Sequence, residues 1–305
     1  MAPLPEYLTP MLPTFIGIGA PKAGTTWLAN LLAEHPEIDF SHDKEPDFFS
    51  YKYPENDFSV YEGLFDHARP GAAVGEFSTG YLTWEGVPER IYRHIPDVKL
   101  IVSFRNPVEQ VYSHYWHLQR QNFHRWDPSL GALSFEDALV RFEDKLIGTA
   151  LYADHVERWQ TVFPPDQFAY VLFDDIKAVP EAVLDEVYAF VGVDPSWRPD
   201  AVGAQGSETR QGTSPRSEKA ARVGAWVYDT LNQRVYHPLK QVVGTERAAI
   251  VKDALRVRPL FERVCRKKGF PAMRPDTRAR LVERFAEPNR RLGEILGRDL
   301  SHWNE

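Results

Sequence analysis

The sequence predicts an α/β protein in which a mainly parallel central sheet is flanked by helices and followed by a helical C-terminal embellishment. Three observations carry that expectation. Short apolar runs at Thr14–Gly19, Lys99–Arg105 and Phe168–Phe173 have the near-continuous hydrophobicity of strands covered on both faces. Helical patterns alternate with these runs, and strands alternating with helices build parallel sheets. Lys22, Glu76 and Arg105 each fall at or just beyond the end of a strand candidate, the edge at which open α/β sheets gather their chemistry.

The first strand, Thr14-Phe-Ile-Gly-Ile-Gly19, passes into a loop of small residues, Ala20-Pro-Lys-Ala-Gly24. Thr25–Glu34 reads as a helix because Leu28, Leu31 and Leu32 share one face. His35-Pro36 closes it, since the residue before a proline is pushed out of the helical region. Ala72-Ala-Val-Gly75 is a short strand candidate that breaks into Glu76-Phe-Ser-Thr-Gly80. After Lys99–Arg105, Asn106 is suited to cap a helix and Pro107 to begin it. Val108, Val111, Tyr115 and Leu118 then line one face to about Gln121. Phe168–Phe173 is followed by a helix over Glu181–Val191. Val202–Ser217 shifts to Gly, Ser, Thr, Gln and Arg and reads as an exposed loop. Glu218–Cys265 reads as helical with breaks near His237-Pro238 and Gly244, and Asp276–Leu296 as a helical stretch interrupted at Pro288. Residues 1–13 form an N-terminal extension on this reading, and 14–305 a single domain.

The 305 residues are 43% hydrophobic and 26% charged, which is enough apolar chain for a sizeable core and excludes a disordered class. Lys+Arg 36 against Asp+Glu 43 leaves a net charge of −7, which disfavours nucleic acid as a partner. Cys265 is the only cysteine, so an intrachain disulfide and a multi-cysteine zinc site are excluded. Met1–Pro13 lacks the cationic and apolar regions of a secretory signal, and no apolar run reaches the roughly 18 residues of a membrane span. A cytoplasmic setting is the expectation.

Gly19-Ala-Pro-Lys-Ala-Gly-Thr-Thr26 has the spacing of a phosphate-binding loop, with threonine where the loop's usual lysine stands. Small residues let backbone N–H groups approach an anion, and the helix start adds partial positive charge. Thr25 and Thr26 add hydroxyls, and Lys22 places its ammonium in the loop itself. An ordinary strand-to-helix turn uses the same residue types for geometry alone. A nucleotide kinase with a variant loop, or a nucleotide-binding module without turnover, are the alternatives; the missing lysine counts against the kinase.

Pro21-Lys22-Ala23-Gly24-Thr25-Thr26-Trp27 resembles the 5′-phosphosulfate loop of sulfotransferases that use 3′-phosphoadenosine 5′-phosphosulfate (PAPS). Val102-Ser-Phe-Arg-Asn-Pro-Val-Glu-Gln-Val-Tyr-Ser113 is similar to that family's 3′-phosphate motif, with Arg105 and Ser113 at the matching positions. Arg266-Lys267-Lys268-Gly269-Phe270 resembles the loop that relatives fold over the same phosphate, with Phe270 where they carry arginine. Glu287-Pro-Asn-Arg290 is similar to the terminal helix of the heparan-sulfate branch. The resemblance implies a P-loop-like sulfotransferase fold, PAPS as cofactor with 3′,5′-ADP as product, and no metal. It also implies that 202–265 forms a divergent, mostly helical segment on the acceptor side.

Transfer of a sulfuryl group calls for positioning, charge stabilisation at the leaving phosphate, and a base for the acceptor proton. Lys22 suits the leaving group. Glu76 is the expected base, because Glu76-Phe-Ser-Thr-Gly-Tyr81 resembles a Glu-Lys motif of the heparan-sulfate branch, with Phe77 replacing the lysine. His42, His114, His117 and His124 are rivals, since other branches use histidine. Lys44-Glu-Pro-Asp-Phe-Phe49 resembles a segment beside the acceptor cleft of relatives, which adds His42, Lys44 and Phe48 as acceptor contacts. Tyr81, Trp84 and Trp116 join them as aromatic surfaces for a ring-shaped or apolar acceptor. The acceptor class is a small molecule, lipid or glycan bearing a hydroxyl, in preference to an amine; the oligomeric state is not legible.

Overall fold

A computed structural model of the chain describes residues 11–53, 57–120, 133–199, 213–215 and 266–305. The chain divides into two compact units, one of residues 1–111, 144–209 and 275–305, the other of 112–143 and 210–274. The first unit holds a five-stranded sheet in the order β2-β3-β1-β4-β5. Its strands are β1 (Phe15–Gly19), β2 (Ile38–Phe40), β3 (Ala73–Phe77), β4 (Lys99–Phe104) and β5 (Phe168–Leu172), and every pairing is parallel. The α/β class and the parallel sheet are as the sequence predicts.

The central strands come close because glycines on one strand face aromatic rings on its neighbour. A Cβ on Gly17 would lie 2.1 Å from the Phe77 ring, and one on Gly75 2.1 Å from the Phe15 ring. Phe77, expected only as a lost cation, is thus a core residue seated over β1.

α1 (Thr25–Glu34) and α9 (Pro180–Val191) cover the sheet, burying Trp27, Leu28, Leu31 and Leu32 with Leu184, Val187 and Tyr188. Between β2 and β4 lie α2 (Phe58–Glu62) and α3 (Val87–His94). α4 (Pro107–Arg120) follows β4, then α5 (Phe135–Arg141), α6 (Glu143–Leu146) and α7 (Tyr152–Gln160). β5 runs directly into α8 (Phe173–Ala178). The second unit pairs β6 (Thr213–Pro215) antiparallel to β7 (Arg266–Lys268).

Four expectations change. β3 continues through Glu76 to Phe77, so Glu76 lies inside the strand and not beyond its end. The last helix, α10 (Pro275–Leu296), passes Pro288 without a break. Burial of Leu281, Phe285, Asn289 and Leu292 along one face outweighs the roughly 3 kcal/mol that an interior proline costs. Val202–Ser217, expected as a loop, contains β6, and Arg266-Lys267-Lys268, expected as a loop, is strand β7. The expected helical stretch 218–265 lies outside the described residues, as does His124.

Candidate active site: a clamped anion loop and a carboxylate pair

The loop between β1 and α1 is held by its carbonyl oxygens. Gln110 Nε2 donates to Pro21 O at 3.0 Å, Arg105 Nη1 to Lys22 O at 3.4 Å, and Ser103 Oγ to Ala23 O at 2.8 Å. Three successive carbonyls are therefore satisfied from β4 and the start of α4. At the loop's other end, Gly24 O accepts from Trp27 N and Leu28 N.

The local sequence explains why the chain turns here. Gly24 caps α1 with φ 94°, a left-handed conformation that side chains disfavour. A Cβ there would also lie 2.8 Å from Ile176 Cδ1 and 3.0 Å from the Phe173 ring. Lys22 adopts φ 67° in the loop and is half-buried. Thr25 is buried and Thr26 exposed at the helix start. Ala23 is fully buried, and the Trp27 side chain lies in the core beneath the sheet, so of these two only the backbone can meet a ligand. Ser103 and Gln110, which the sequence reading passed over, fix the loop; a strand-end serine and a glutamine in the first turn of α4 were the available signals.

Arg105 follows β4 directly. Its guanidinium carbon lies 4.9 Å above the Phe173 ring, and Nη2 stands 3.9 Å from Glu109 Oε2. Burial draws its pKa below the ordinary value while Glu109 opposes the shift. Glu109 is also engaged by Arg278 Nη1 at 2.7 Å, which divides its charge between two cations. Ser113, in the second unit, is buried on the second turn of α4.

Glu76, the expected base, lies inside β3. It is fully buried, its Oε1 accepts from Tyr61 Oη at 2.9 Å, and its Oε2 accepts from Ser78 Oγ at 2.8 Å. Burial pushes its carboxyl up to about 7, against the hydrogen bonds from Ser78, Tyr61 and Tyr81 that favour the charged form. Ser78 Oγ also accepts the Asp47 backbone N–H at 3.0 Å. Asp47, which the sequence reading left out, is half-buried, and no hydrogen bond reaches its carboxylate among the described residues. Desolvation first, then the charge of Glu45, raise it to about 6, with Lys52 opposing.

The segment that follows Glu76 runs beside the end of β1. Ser78 N donates to Gly17 O and Leu82 N to Ile18 O. A Cβ on Gly19 would meet Thr79 O at 2.7 Å, and one on Gly80 would lie 3.9 Å from Asp47 Oδ1 and 3.8 Å from Trp84 Cδ1.

The expected acceptor contacts separate into two groups. Phe48 and Tyr81 are buried among aromatic neighbours, Tyr81 Oη accepting from Phe49 N at 3.2 Å. Trp84 is 46% exposed beside Tyr51, and Lys44 and His42 are exposed. Within the second unit Trp116 is partly buried and stacks on Phe270 at 5.7 Å. Lys267 and Lys268 lie on β7, and Gly269 follows with φ 81°.

No helix among the described residues is long and apolar enough to cross a membrane. The chain is 30% identical over 183 residues to human heparan sulfate glucosamine 3-O-sulfotransferase 6, covering 59% of this chain and 52% of that protein. It is 29% identical over 204 residues to the mouse bifunctional heparan sulfate N-deacetylase/N-sulfotransferase 3, covering 61% of this chain and 23% of that one. It thus spans about half the length, or less, of these curated relatives. A sulfotransferase from Alicyclobacillus acidocaldarius superposes with a TM-score of 0.66 at 26% identity, covering 97% of this chain and 100% of the other. The sulfotransferase domain family matches residues 12–209. That span contains β1 to β5, the clamped loop, Arg105 and both carboxylates, and by it the chain belongs to the sulfotransferase domain family.

Proposed function

We propose that this chain transfers a sulfuryl group from PAPS to an acceptor hydroxyl, releasing 3′,5′-ADP. The observation that carries the reading is the loop between β1 and α1, three of whose successive carbonyls are each held by a side chain, which fixes its backbone at the start of α1. A helix start and a lysine within that loop suit the 5′-phosphosulfate. On this reading the loop backbone from Pro21 to Thr26, closed by Trp27, holds the phosphosulfate with the Thr25 and Thr26 hydroxyls. Lys22 meets the charge that develops on the departing phosphate oxygen. Arg105 and Ser113 bind the 3′-phosphate, the guanidinium fork suiting a terminal phosphate. Lys267, Lys268 and Gly269 add to that contact.

The acceptor oxygen attacks sulfur as the bond from sulfur to the phosphate oxygen breaks, and the acceptor proton leaves to a carboxylate. We assign that proton to Asp47, with Glu76 as a positioning residue that holds Ser78 and, through it, the Asp47 backbone. Lys44, Trp84 and Trp116 are acceptor contacts, and the acceptor is a glycan, lipid or small molecule. The step as written needs no metal, and a cytoplasmic setting belongs to the same reading.

The test is transfer of labelled sulfate from PAPS to a panel of hydroxyl acceptors, with EDTA as one arm. Label transfer that persists in EDTA and is lost in Lys22→Ala supports the assignment. Turnover of ATP that EDTA abolishes returns the chain to the kinase class.

A further inference from the structure

We propose that His42, Asp66 and His67 form a binding site for a borderline divalent metal ion of the zinc, cobalt or nickel class. The site lies at the root of the loop that carries Lys44 to Phe49. This goes beyond sulfuryl transfer, and no step of that reaction passes through it.

The three side chains come from two segments that the fold ties together independently of them. His42 follows β2, and its backbone N–H donates to Leu64 O at 3.0 Å. Arg69, two residues after His67, returns to β2: its backbone N–H meets Asp39 Oδ2 at 2.8 Å and its Nη2 meets Asp39 Oδ1 at 2.8 Å. Buried Phe65 and Tyr61 anchor the second segment from below. The spacing between the segments is therefore set before any ligand arrives.

On that frame the donor atoms converge. His42 Nε2 lies 2.7 Å and His67 Nδ1 3.8 Å from Asp66 Oδ1, and the two imidazole centroids are 4.1 Å apart. All three ligand atoms lie within 4.8 Å of one another. Tetrahedral zinc with bonds of about 2.0–2.1 Å sets its ligand atoms roughly 3.3 Å apart, a value the two observed separations bracket. Arg69 is already neutralised by Asp39 and does not oppose a cation.

The donor set selects the ion. Two imidazoles and one carboxylate suit zinc, cobalt and nickel, whereas magnesium and calcium take oxygen ligands. All three residues are exposed, which leaves the remaining coordination positions to water. Bound there, the ion joins the end of β2 to the 64–67 turn and restrains the loop on which the Asp47 carboxylate depends.

The experiment is equilibrium dialysis of the full chain, without a histidine tag, against Zn²⁺, and titration with Co²⁺ followed by its visible ligand-field absorption. The expected result is one tightly retained ion per chain, a Co²⁺ spectrum of low-coordinate intensity, and no displacement by excess Mg²⁺. Asp66→Asn and His67→Ala, whose folding is checked by circular dichroism, should each weaken binding by more than the roughly 10–100-fold that loss of an outer-shell partner costs. Absence of a retained ion, or retention unchanged in both variants, overturns the proposal. Binding of 3′,5′-ADP, measured on the same samples, reports separately on the sulfotransferase reading.

Discussion

Ser103 Oγ donates a buried hydrogen bond to the carbonyl of Ala23, joining the end of β4 to the middle of the anion loop across 2.8 Å. That bond and the one from Gln110 to Pro21 turn a flexible stretch of small residues into a fixed cradle. Ser103→Ala leaves a buried carbonyl without its partner, which costs about 1–3 kcal/mol. The expected outcome is a lower melting temperature together with weaker 3′,5′-ADP binding, measured by thermal unfolding and calorimetry. Unchanged nucleotide affinity would separate the clamp from the ligand.

Gly24→Ala tests the geometry of the turn itself. The substitution must accept φ 94° and a contact of 2.8 Å with Ile176 Cδ1, so strain of about 1–3 kcal/mol adds to the crowding. Stability and nucleotide affinity should fall together. A variant that binds 3′,5′-ADP like the parent would show that the left-handed cap is dispensable.

Lys22 and Arg105 should fail in different ways. Lys22→Ala removes a charge needed mainly as the leaving oxygen becomes anionic, and kcat should drop about 10²–10³-fold, as when one transition-state donor is lost. Arg105→Ala should chiefly weaken binding of PAPS and 3′,5′-ADP, and Arg105→Lys should recover only part of it because the fork is gone. Steady-state kinetics with direct binding of 3′,5′-ADP distinguish the two.

Much of this site was legible in the sequence, and the reasons are physical. The strand ending at Gly19 and the loop that leads into α1 declare themselves because an apolar run, small residues and a helix start follow one another in a set order. Glu76 was legible as a residue but its burial was not. Alternation along a three- or four-residue strand candidate could not show that β3 continues to Phe77 and points Glu76 into the core. Phe77 was legible as a departure from the family pattern, but its seat over Gly17 depends on the register of β1 against β3. Asp47 and the short elements α2, α3 and α8 carry too few residues for a periodic signal, and tertiary contacts decide them.

Glu76 also gives a pH dependence of stability with a definite sign. Between about 4.5 and about 7 the unfolded chain has released a proton that the folded chain keeps on Glu76. The native state therefore binds more protons in that window, and stability falls as pH rises through it. Asp47 contributes the same sign between 3.8 and about 6. Melting temperatures across this range should show a downward slope that Glu76→Gln flattens in its upper half and Asp47→Asn in its lower half.

Asp47→Asn should lower kcat about 10²–10⁴-fold, the usual contribution of a positioned base, with 3′,5′-ADP binding intact. Glu45→Gln removes the neighbouring charge that raises Asp47, so the acid limb of the pH–rate profile should move to lower pH while turnover persists. Turnover lost in Glu45→Gln and kept in Asp47→Asn would move the proton acceptor two residues upstream.

The most direct measurement of the central claim is the thermal shift produced by 3′,5′-ADP, with 5′-AMP and ATP–magnesium as controls. A ligand that binds only the native state stabilises it by about 2.7 kcal/mol at a hundredfold excess over Kd. The account predicts a shift of that scale with 3′,5′-ADP, a much smaller one with 5′-AMP, and loss of the difference in Arg105→Ala. No shift, or a shift with ATP–magnesium alone, would contradict it.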